Sequence, residues 1–287
     1  MNLNTSPIPM LRAVLFDLGD TLIDFEPLDT RAVFRDSARG TYEYLRDRGH
    51  RLPPFDRYCR AQFRAVRWRY FWAKLRGRDF NTLDLLRRYL AESPRVEGKL
   101  GAAPSDEADL LELAWLWYAP LTRHSAPEIG TAQTLALLRD RGLKLGLVSN
   151  TFVPGAVLDR HLALHGLLEF FPVRVYSSEV GFRKPSPRIF ELALNRLGVS
   201  AGEAAFVGDL VKTDIVGAWR MGMRTILKQP WGRTGVTHRV ADVVIRCLAD
   251  LPEALASLRR DGIQIAPTPR AADVVSDVTP IFDEARV

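Results

Sequence analysis

An acidic residue stands directly after a short apolar segment near the start of this 287-residue chain. The segment is AVLF at 13–16, and the acid is Asp17. Four apolar, β-prone residues are too few for a helix and predict a buried parallel strand. In open α/β sheets, ligands bind at the edge where such strands end. Asp17 is therefore placed for chemistry, although an aspartate at this position is also typical of a simple turn.

Later predicted strands end in polar residues in the same way. Taken singly, each of these residues has an ordinary explanation as a helix cap, a turn or a solvated loop residue. Together they predict one site, because the carboxyl ends of parallel strands meet at one edge of a sheet. The set comprises Ser149 and Asn150 after strand 144–148, Lys184 after strand 173–177, Gly208 and Asp209 after strand 204–207, and Asp214 five residues beyond Asp209.

This set of side chains suits phosphoryl transfer. A carboxylate such as Asp17 attacks phosphorus and forms an acyl phosphate. The attacked group is an anion, so a cation is needed, and Mg²⁺ prefers one or two carboxylates, here Asp17 and Asp209, with phosphate oxygens and water. Lys184 adds a fixed positive charge and Ser149 a hydroxyl donor. Asp214 would orient Lys184 or the water bound to the metal without binding the metal itself.

The elements that position these residues alternate between strand and helix from residue 128 onward. This order predicts an α/β fold with a Rossmann-like parallel sheet and helices on both faces. After Asp17, residues 24–27 predict a loop that leaves the sheet. The stretch from about residue 30 to residue 124 differs from the rest, because its apolar periodicity is helical and no strand is evident. It predicts an all-helical cap domain inserted after the first strand, with helices at 31–48, 55–75, 81–91 and 106–118.

The predicted domains follow from this change of pattern. The α/β core comprises residues 11–26 and 125–260, and the helical cap comprises residues 27–124. An insertion of this length has ordinary domain size. Residues 261–287 contain prolines among small polar residues and predict a loosely ordered tail.

Composition narrows the class of protein. With 47% hydrophobic and 26% charged residues, the chain is typical of globular proteins, and its net charge of +6 favours anionic partners. Cys59 and Cys247 are far apart, which argues against a disulfide framework or a zinc site and fits a reducing compartment. Residues 1–10 lack the pattern of a signal peptide, and no apolar run reaches the roughly 20 residues of a membrane span. These features predict a cytoplasmic protein without membrane association.

Four segments of the chain resemble the motifs of the haloacid dehalogenase superfamily of hydrolases. They are FDLGDTL at 16–22, VSN at 148–150, SEVGFRKPSPRIF at 178–190, and a fourth segment within 207–223 that contains VGD followed by the pairs DI, GA and GM. The third and fourth segments are specific, whereas the second is weak by itself. The resemblance covers residues 11–258 apart from the insertion, whose location and helical content resemble the first cap type of the superfamily.

The resemblance implies a magnesium-dependent phosphatase that acts on a small phosphorylated metabolite through an aspartyl-phosphate intermediate. Asp17 would be the nucleophile and Lys184 the charge stabiliser. Thr21, Ser149 and Asn150 would bind the substrate. The ligands of Mg²⁺ would be Asp17, the backbone carbonyl of Gly19, and Asp209, with Asp214 in support.

One position departs from the superfamily pattern. The phosphatases usually carry a second aspartate two residues after the nucleophile, which protonates the leaving oxygen and then activates water. Here that position is Gly19, and Asp20 follows it. Asp20 is the candidate replacement, since glycine widens the choice of backbone conformations. The alternative is that general acid–base catalysis is absent or is supplied by a residue of the cap. General acid–base help is typically worth about 10² to 10⁴ in rate, so its loss predicts a slow phosphatase or one restricted to good leaving groups such as acyl phosphates.

Two other reactions of the superfamily remain as alternatives. Haloacid dehalogenases also lack the second aspartate, but they act without a metal and resemble the fourth segment poorly, so Asp209 and Asp214 argue against carbon–halogen hydrolysis. A phosphonate hydrolase would need an imine-forming lysine in the cap. Lys74 and Lys99 are the only lysines of the insertion, and neither has a distinctive setting.

Eight basic residues between Arg57 and Arg78 alternate with aromatic residues in the predicted cap. Some of the arginines could bind an anionic part of the substrate. Aromatic rings beside cations are also typical of nucleic-acid binding, which would make the protein a catalytically weak relative that binds a partner through its cap. The interpretation we favour is an amphipathic helix, with its aromatic residues in the core and its arginines in solvent, which argues against nucleic acid as a partner.

Overall fold

A six-stranded parallel sheet with the order β5-β4-β1-β6-β7-β8 lies at the centre of the computed structural model, which describes residues 10–92, 107–229 and 241–258. Strand β1 is central, and its four residues are fully buried. Two further strands, β2 and β3, pair with each other outside this sheet. The strands are β1 (Ala13–Phe16), β2 (Asp24–Phe25), β3 (Ser125–Ala126), β4 (Lys144–Ser149), β5 (Val173–Tyr176), β6 (Ala204–Gly208), β7 (Arg224–Lys228) and β8 (Val243–Ile245).

Four helices lie between β2 and β3 in the sequence and form the cap; within the described part of this segment there is no strand, as the periodicity predicts. Six more helices follow in the α/β core. The helices are α1 (Thr30–Asp47), α2 (Phe55–Arg76), α3 (Thr82–Glu92), α4 (Glu107–Thr122), α5 (Thr131–Asp140), α6 (Gly155–Leu164), α7 (Ser177–Val180), α8 (Pro187–Leu197), α9 (Val216–Arg220) and α10 (Leu251–Ser257).

Both faces of the sheet are covered by apolar side chains. Along β1, Val14 and Phe16 belong to one hydrophobic cluster, whereas Ala13 and Leu15 belong to another on the opposite face. Successive side chains of a strand point to opposite faces, so a strand buried on both faces is a continuous apolar run rather than an alternating one. The predicted α/β fold with an inserted helical cap is confirmed.

Several short elements were not predicted. Residues 24–25 were interpreted as a loop, but they form β2, which pairs antiparallel with β3, so that Asp24 is opposite Ala126. Helix α9 begins at Val216 and is preceded by a wider helical turn, Val211–Ile215, which the sequence pattern does not indicate. The division into domains at residues 26–27 and 124–125 stays a prediction. The predicted loose tail, 261–287, lies outside the described residues.

The interpretation of α2 as a helix with its aromatic residues in the core is wrong for two of them. Trp68 is 63% exposed and Phe71 is 51% exposed, and their rings stack on each other. The buried residues of α2 are Tyr58, Val66 and Ala73, because only one side of the helix packs against its neighbours. Basic side chains of the same helix also lie over its rings, such as the guanidinium of Arg76 at 4.8 Å from the ring of Trp72.

Within the described parts of the chain, every helix is too short or too polar to cross a membrane.

A buried histidine joins the cap to the core. His161 of α6 is fully buried, with Nδ1 2.9 Å from the Tyr118 hydroxyl of α4 and Nε2 3.2 Å from Ser125 Oγ of β3. Burial, with the nearby His165, lowers the pKa of His161 to about 4. Below pH 6.5 the unfolded chain therefore binds a proton that the folded protein excludes.

We expect the contribution of His161 to the stability of the protein to be lost between pH 6.5 and pH 4. The contribution of His161 is complete above pH 6.5 and is lost as the pH falls towards its folded-state pKa of about 4, with a maximum of about 3 kcal/mol. Urea unfolding at pH 7.5 and pH 5 measures the change. The variant His161→Gln keeps a donor and an acceptor but does not titrate, so its pH slope should be smaller. Equal slopes would contradict this assignment.

Candidate active site

A lysine lies between two buried carboxylates at the carboxyl edge of the sheet. Asp17 follows β1, and its backbone N donates to the carbonyl of Val207 in the neighbouring strand at 2.9 Å. Lys184 Nζ lies 2.6 Å from Asp17 Oδ1 and 2.9 Å from Asp214 Oδ1. The fold thus brings together three of the predicted site residues from distant parts of the sequence, and all three are buried.

Asn150 fixes the backbone of Lys184. Its Oδ1 accepts a hydrogen bond from Lys184 N at 2.7 Å, and its Nδ2 donates to Lys184 O at 3.0 Å. One side-chain amide therefore binds both polar groups of a single residue and sets the direction from which the lysine enters the site. The contacts give Asn150 a positioning role, and its role in binding substrate stays a prediction.

Asp214 reaches the lysine because Gly208, the last residue of β6, has no side chain. A Cβ atom on Gly208 would lie 2.5 Å from Asp214 Oδ2, closer than atoms approach in proteins. Asp214 also accepts from Leu210 N through Oδ2 at 3.1 Å. The glycine before Asp209 is thus required for close packing, and the wide turn Val211–Ile215 carries the buried carboxylate. Wide helical turns of this type are frequent at functional sites.

Burial dominates the electrostatics of Asp17. It raises the pKa of Asp17 to about 6, against the attraction of Lys184 and with the repulsion of Asp214. Burial by itself would lower the pKa of Lys184, but the two carboxylates outweigh it and raise that pKa. Lys184 is therefore a permanent cation. A second cation near Asp17 would lower the pKa of this carboxyl group and so favour its ionised form.

The acidic residues fit a divalent cation. Asp17, Asp209 and Asp214 each offer an oxygen, and these oxygens lie within 4.8 Å of one another. Three carboxylates and one ammonium give the cluster a net charge of −2, and hard oxygen donors are those that Mg²⁺ prefers. Both oxygens of Asp214 already accept hydrogen bonds, from Lys184 and Leu210. Asp17 and Asp209 would therefore hold the metal, with Asp214 in support.

The predicted substrate-binding hydroxyls lie at the same edge of the sheet. Ser149 is the last residue of β4 and is buried. Thr21 is fully buried, and its Oγ1 has no hydrogen-bond partner among the described residues. Their contact with a phosphoryl group stays a prediction.

Asp20 is turned towards the cap connection. It has a φ of 52°, and its Oδ1 accepts from Phe25 N of β2 at 3.2 Å. Its carboxylate is not part of the cluster formed by Asp17 and the two other metal-site acids in the described structure. Asp20 thus supports the loop after Asp17, and its role as a general acid stays a prediction.

The sequence model of the family described as haloacid dehalogenase-like hydrolase matches residues 11–222. This chain belongs to that family. The predicted membership and the predicted hydrolase class are confirmed, and the match includes the cap as well as β1, β4, β5 and β6.

Relatives within the family include phosphatases. The glyceraldehyde 3-phosphate phosphatase of Methanopyrus kandleri is 32% identical over 219 residues, which cover 76% of this chain and 83% of that protein. The phosphoserine phosphatase of Thermus thermophilus is 31% identical over 227 residues, which cover 75% and 88% of the two chains. A solved structure of a 2-haloacid dehalogenase from Pseudomonas syringae pv. Tomato DC3000 is 25% identical, with a TM-score of 0.55 over 87% of this chain and 100% of that one.

An aromatic cluster joins the cap of this hydrolase to a loop of the candidate site. Phe152, which follows the Ser149–Asn150 segment, stacks on Phe80 at 5.5 Å and has Tyr70 and Trp117 at its edges. The carbonyl of Phe152 also accepts hydrogen bonds from the backbone N and the hydroxyl of Thr82.

Asp79 of the cap makes a buried ion pair that the sequence did not indicate. Its Oδ1 lies 3.1 Å from Arg183 Nη1, and its Oδ2 accepts from Ser177 Oγ at 2.5 Å. The Ser177 hydroxyl in turn accepts from Thr151 N at 2.7 Å. Asp79 therefore connects the loop between α2 and α3 to residues beside both Lys184 and Asn150. No motif marks it, because its partners lie about a hundred residues away.

We expect Asp79→Ala to lower the free energy of unfolding by about 3 kcal/mol, because it leaves the nearly buried Arg183 without its counter-charge. Chemical denaturation measures the effect. The matched control is Asp84→Ala, whose ion pair with Arg87 is exposed, so that its loss should cost less than about 1 kcal/mol. Similar losses in the two variants would show that the Asp79 pair is no more important than a surface pair.

Proposed function

We propose that the protein is a magnesium-dependent phosphatase that acts on a small phosphorylated metabolite through an aspartyl phosphate on Asp17. The observation that carries the proposal is the arrangement around Lys184, which contacts Asp17 and Asp214 at 2.6 and 2.9 Å. A buried carboxylate nucleophile beside a fixed cation, with Asp209 and Asp214 close by, suits attack on an anionic phosphoryl group. The predicted cytoplasmic location is part of this proposal.

The reaction proceeds in two halves at Asp17. An oxygen of the carboxylate attacks phosphorus, the bond to the leaving oxygen breaks, and the phosphoryl group remains on Asp17. Water then attacks the phosphorus, which releases inorganic phosphate and restores the carboxylate. Lys184 stabilises negative charge on the phosphoryl oxygens throughout. Bound magnesium supplies the positive charge that offsets repulsion between the carboxylate and the phosphate.

The class of substrate rests on the relatives. Two of them are named as phosphatases of glyceraldehyde 3-phosphate and of phosphoserine, which are both small phosphorylated metabolites. The names differ, so similarity supports the class and a substrate panel decides the compound. The glycine at position 19 favours substrates with good leaving groups, since protonation of the leaving oxygen matters least for them.

A second candidate is carbon–halogen hydrolysis, which the similarity to a solved 2-haloacid dehalogenase favours. In that reaction Asp17 would attack carbon and release halide. The acidic cluster of Asp17, Asp209 and Asp214 supports the phosphatase instead, because attack on an uncharged carbon needs no divalent cation.

The test is phosphate release from a panel of phosphorylated metabolites that includes an acyl phosphate, measured with Mg²⁺ and with a chelator. We expect turnover that requires Mg²⁺ and is absent in Asp17→Asn. Halide release from 2-haloacids, independent of the metal, would establish the second candidate. Absence of phosphate release from every compound would overturn the proposal, and binding of nucleic acid that weakens steeply with salt would then support the competing function of the cap.

A further inference from the structure

A second buried lysine lies outside the site described above. Lys228 is the last residue of β7 and is fully buried. Its Nζ donates to Asp24 Oδ1 at 2.7 Å and to the carbonyl of Thr21 at 3.0 Å, and it lies 2.9 Å from Glu128 Oε1. All three donor positions of the ammonium are therefore used.

The three partners come from the segments that join the cap to the core. Thr21 lies in the loop after Asp17, Asp24 lies in β2 on the way into the cap, and Glu128 follows β3 on the way out. Strands β2 and β3 pair with each other, and Glu26 N extends the pairing by donating to His124 O at 3.0 Å. One ammonium thus holds three segments at the edge of the sheet. They are the loop after Asp17, here called the nucleophile loop, and the two connections between the core and the cap.

Other contacts fix the partners of Lys228 in turn. Glu128 Oε2 accepts from Leu248 N at 2.8 Å, which attaches this carboxylate to the segment before α10. Asp20 Oδ1 accepts a hydrogen bond from Phe25 N, which connects the loop after Asp17 to β2. The positions of Thr21, Asp24 and Glu128 relative to Asp17 therefore depend on contacts that converge on one side chain.

Stability by itself does not account for a lysine at this position. Transfer of an ammonium from water to the interior carries a large desolvation penalty, and apolar residues of similar volume are often equally stabilising or better. What an apolar side chain cannot do is bind a carbonyl and two carboxylates from three separate segments. The buried cation therefore fixes geometry where an apolar residue would only fill space.

We propose that Lys228 is a positioning residue for the reaction at Asp17, which sets the nucleophile loop and both cap connections relative to the sheet. The inference rests on the proposed phosphatase function. A displacement of about 1 Å between reacting groups costs roughly 10²-fold in rate, so the loss of this anchor should lower kcat although Lys228 touches no reacting atom.

The test compares Lys228→Met with the wild-type protein on the best substrate of the panel, with rates normalised to folded protein. We expect kcat to fall at least about 10-fold. Amide hydrogen exchange at residues 24–26 and 124–126 should accelerate, while exchange in β1 and β4 stays unchanged. The matched control is Lys144→Met. Lys144 is the first residue of β4, at the opposite edge of the sheet from Lys228, and its Nζ donates to the carbonyl of Leu197 at 2.7 Å. Its kcat and its exchange at the connections should equal those of the wild type.

Glu128→Gln keeps the inference testable if Lys228→Met does not fold. It preserves shape and an acceptor but removes one charge, and we expect a smaller loss of kcat with the same local rise in exchange. In the double variant the losses should not add, because both changes disrupt one cluster. Wild-type kcat in folded Lys228→Met, or in Glu128→Gln when that is the variant that folds, would overturn the inference and leave the phosphatase intact. An inactive wild-type protein would overturn the phosphatase proposal and this inference with it.

Discussion

Replacement of Asp17 by asparagine is expected to abolish phosphate release, with turnover reduced by at least about 10⁴-fold, as for other enzymes that lose their nucleophile. Asparagine has nearly the same shape as aspartate but no anionic oxygen to attack phosphorus. It also removes one of the two carboxylates that would hold Mg²⁺ and leaves Asp209 as the remaining one. Steady-state phosphate release, with the most active compound of the panel, measures the loss.

The fold should tolerate this change, which makes the prediction a test of chemistry. The asparagine oxygen can still accept from Lys184, and Lys184 keeps its contact with Asp214 at 2.9 Å. Burial raises the pKa of Asp17, so the folded protein loses a charge that it already disfavours. We therefore expect the unfolding free energy of Asp17→Asn at pH 7 to be no lower than that of the wild type. The control Asp159→Asn removes a carboxylate that pairs with Arg174 on the edge strand β5 and should keep full activity. Retention of a tenth of the activity in folded Asp17→Asn would mean that another group is the nucleophile.

The sequence predicts the centre of the site because burial on both faces makes the strands recognisable. The four apolar residues before Asp17 and the runs before Ser149 and Asp209 have no polar alternation, and each forms a strand of the parallel sheet. Once the strands are known, parallel topology places the residues after them at one edge. The contacts of Lys184 with Asp17 and Asp214 agree with this reasoning.

The anchoring residues were not predictable in the same way. Lys228 and Asp24 are 204 positions apart, and neither belongs to a motif or a periodic pattern. Strands β2 and β3 have two residues each, too few for any alternation to be evident. Asn150 did carry a signal, since it lies in a recognisable segment, but the binding of its amide to the backbone of Lys184 is evident only in the folded structure.

Helical periodicity likewise predicts where α2 lies but not how much of its circumference is covered. An aromatic residue satisfies an apolar pattern whether another helix packs on it or not. Trp68 and Phe71 satisfy that pattern and are exposed, because the neighbouring elements cover only the side of α2 that carries Val66 and Ala73.

Replacement of Gly19 by aspartate is expected to raise turnover by about 10² to 10⁴ on phosphate esters with poor leaving groups. The new carboxylate would stand two residues after the nucleophile, where phosphatases of the superfamily carry their acid–base residue. The backbone accepts it, because Gly19 does not adopt a left-handed conformation and a Cβ atom there would lie 3.5 Å from Phe25 Cε2, an ordinary contact. The gain should be much smaller on acyl phosphates, whose leaving groups need no protonation.

Gly19→Asn is the matched control, since it adds the same bulk without an acid, and it should show no gain. In the wild-type protein, Asp20 either donates the proton to the leaving group or only supports the loop, and Asp20→Asn distinguishes these two roles. If Asp20 already serves as the acid despite its hydrogen bond from Phe25 N, Asp20→Asn lowers turnover on poor leaving groups and Gly19→Asp adds little. If Asp20 only supports the loop, Asp20→Asn leaves the leaving-group dependence unchanged and Gly19→Asp reduces it. The slope of rate against leaving-group pKa in these variants therefore reports which carboxylate donates the proton, whatever the natural substrate is.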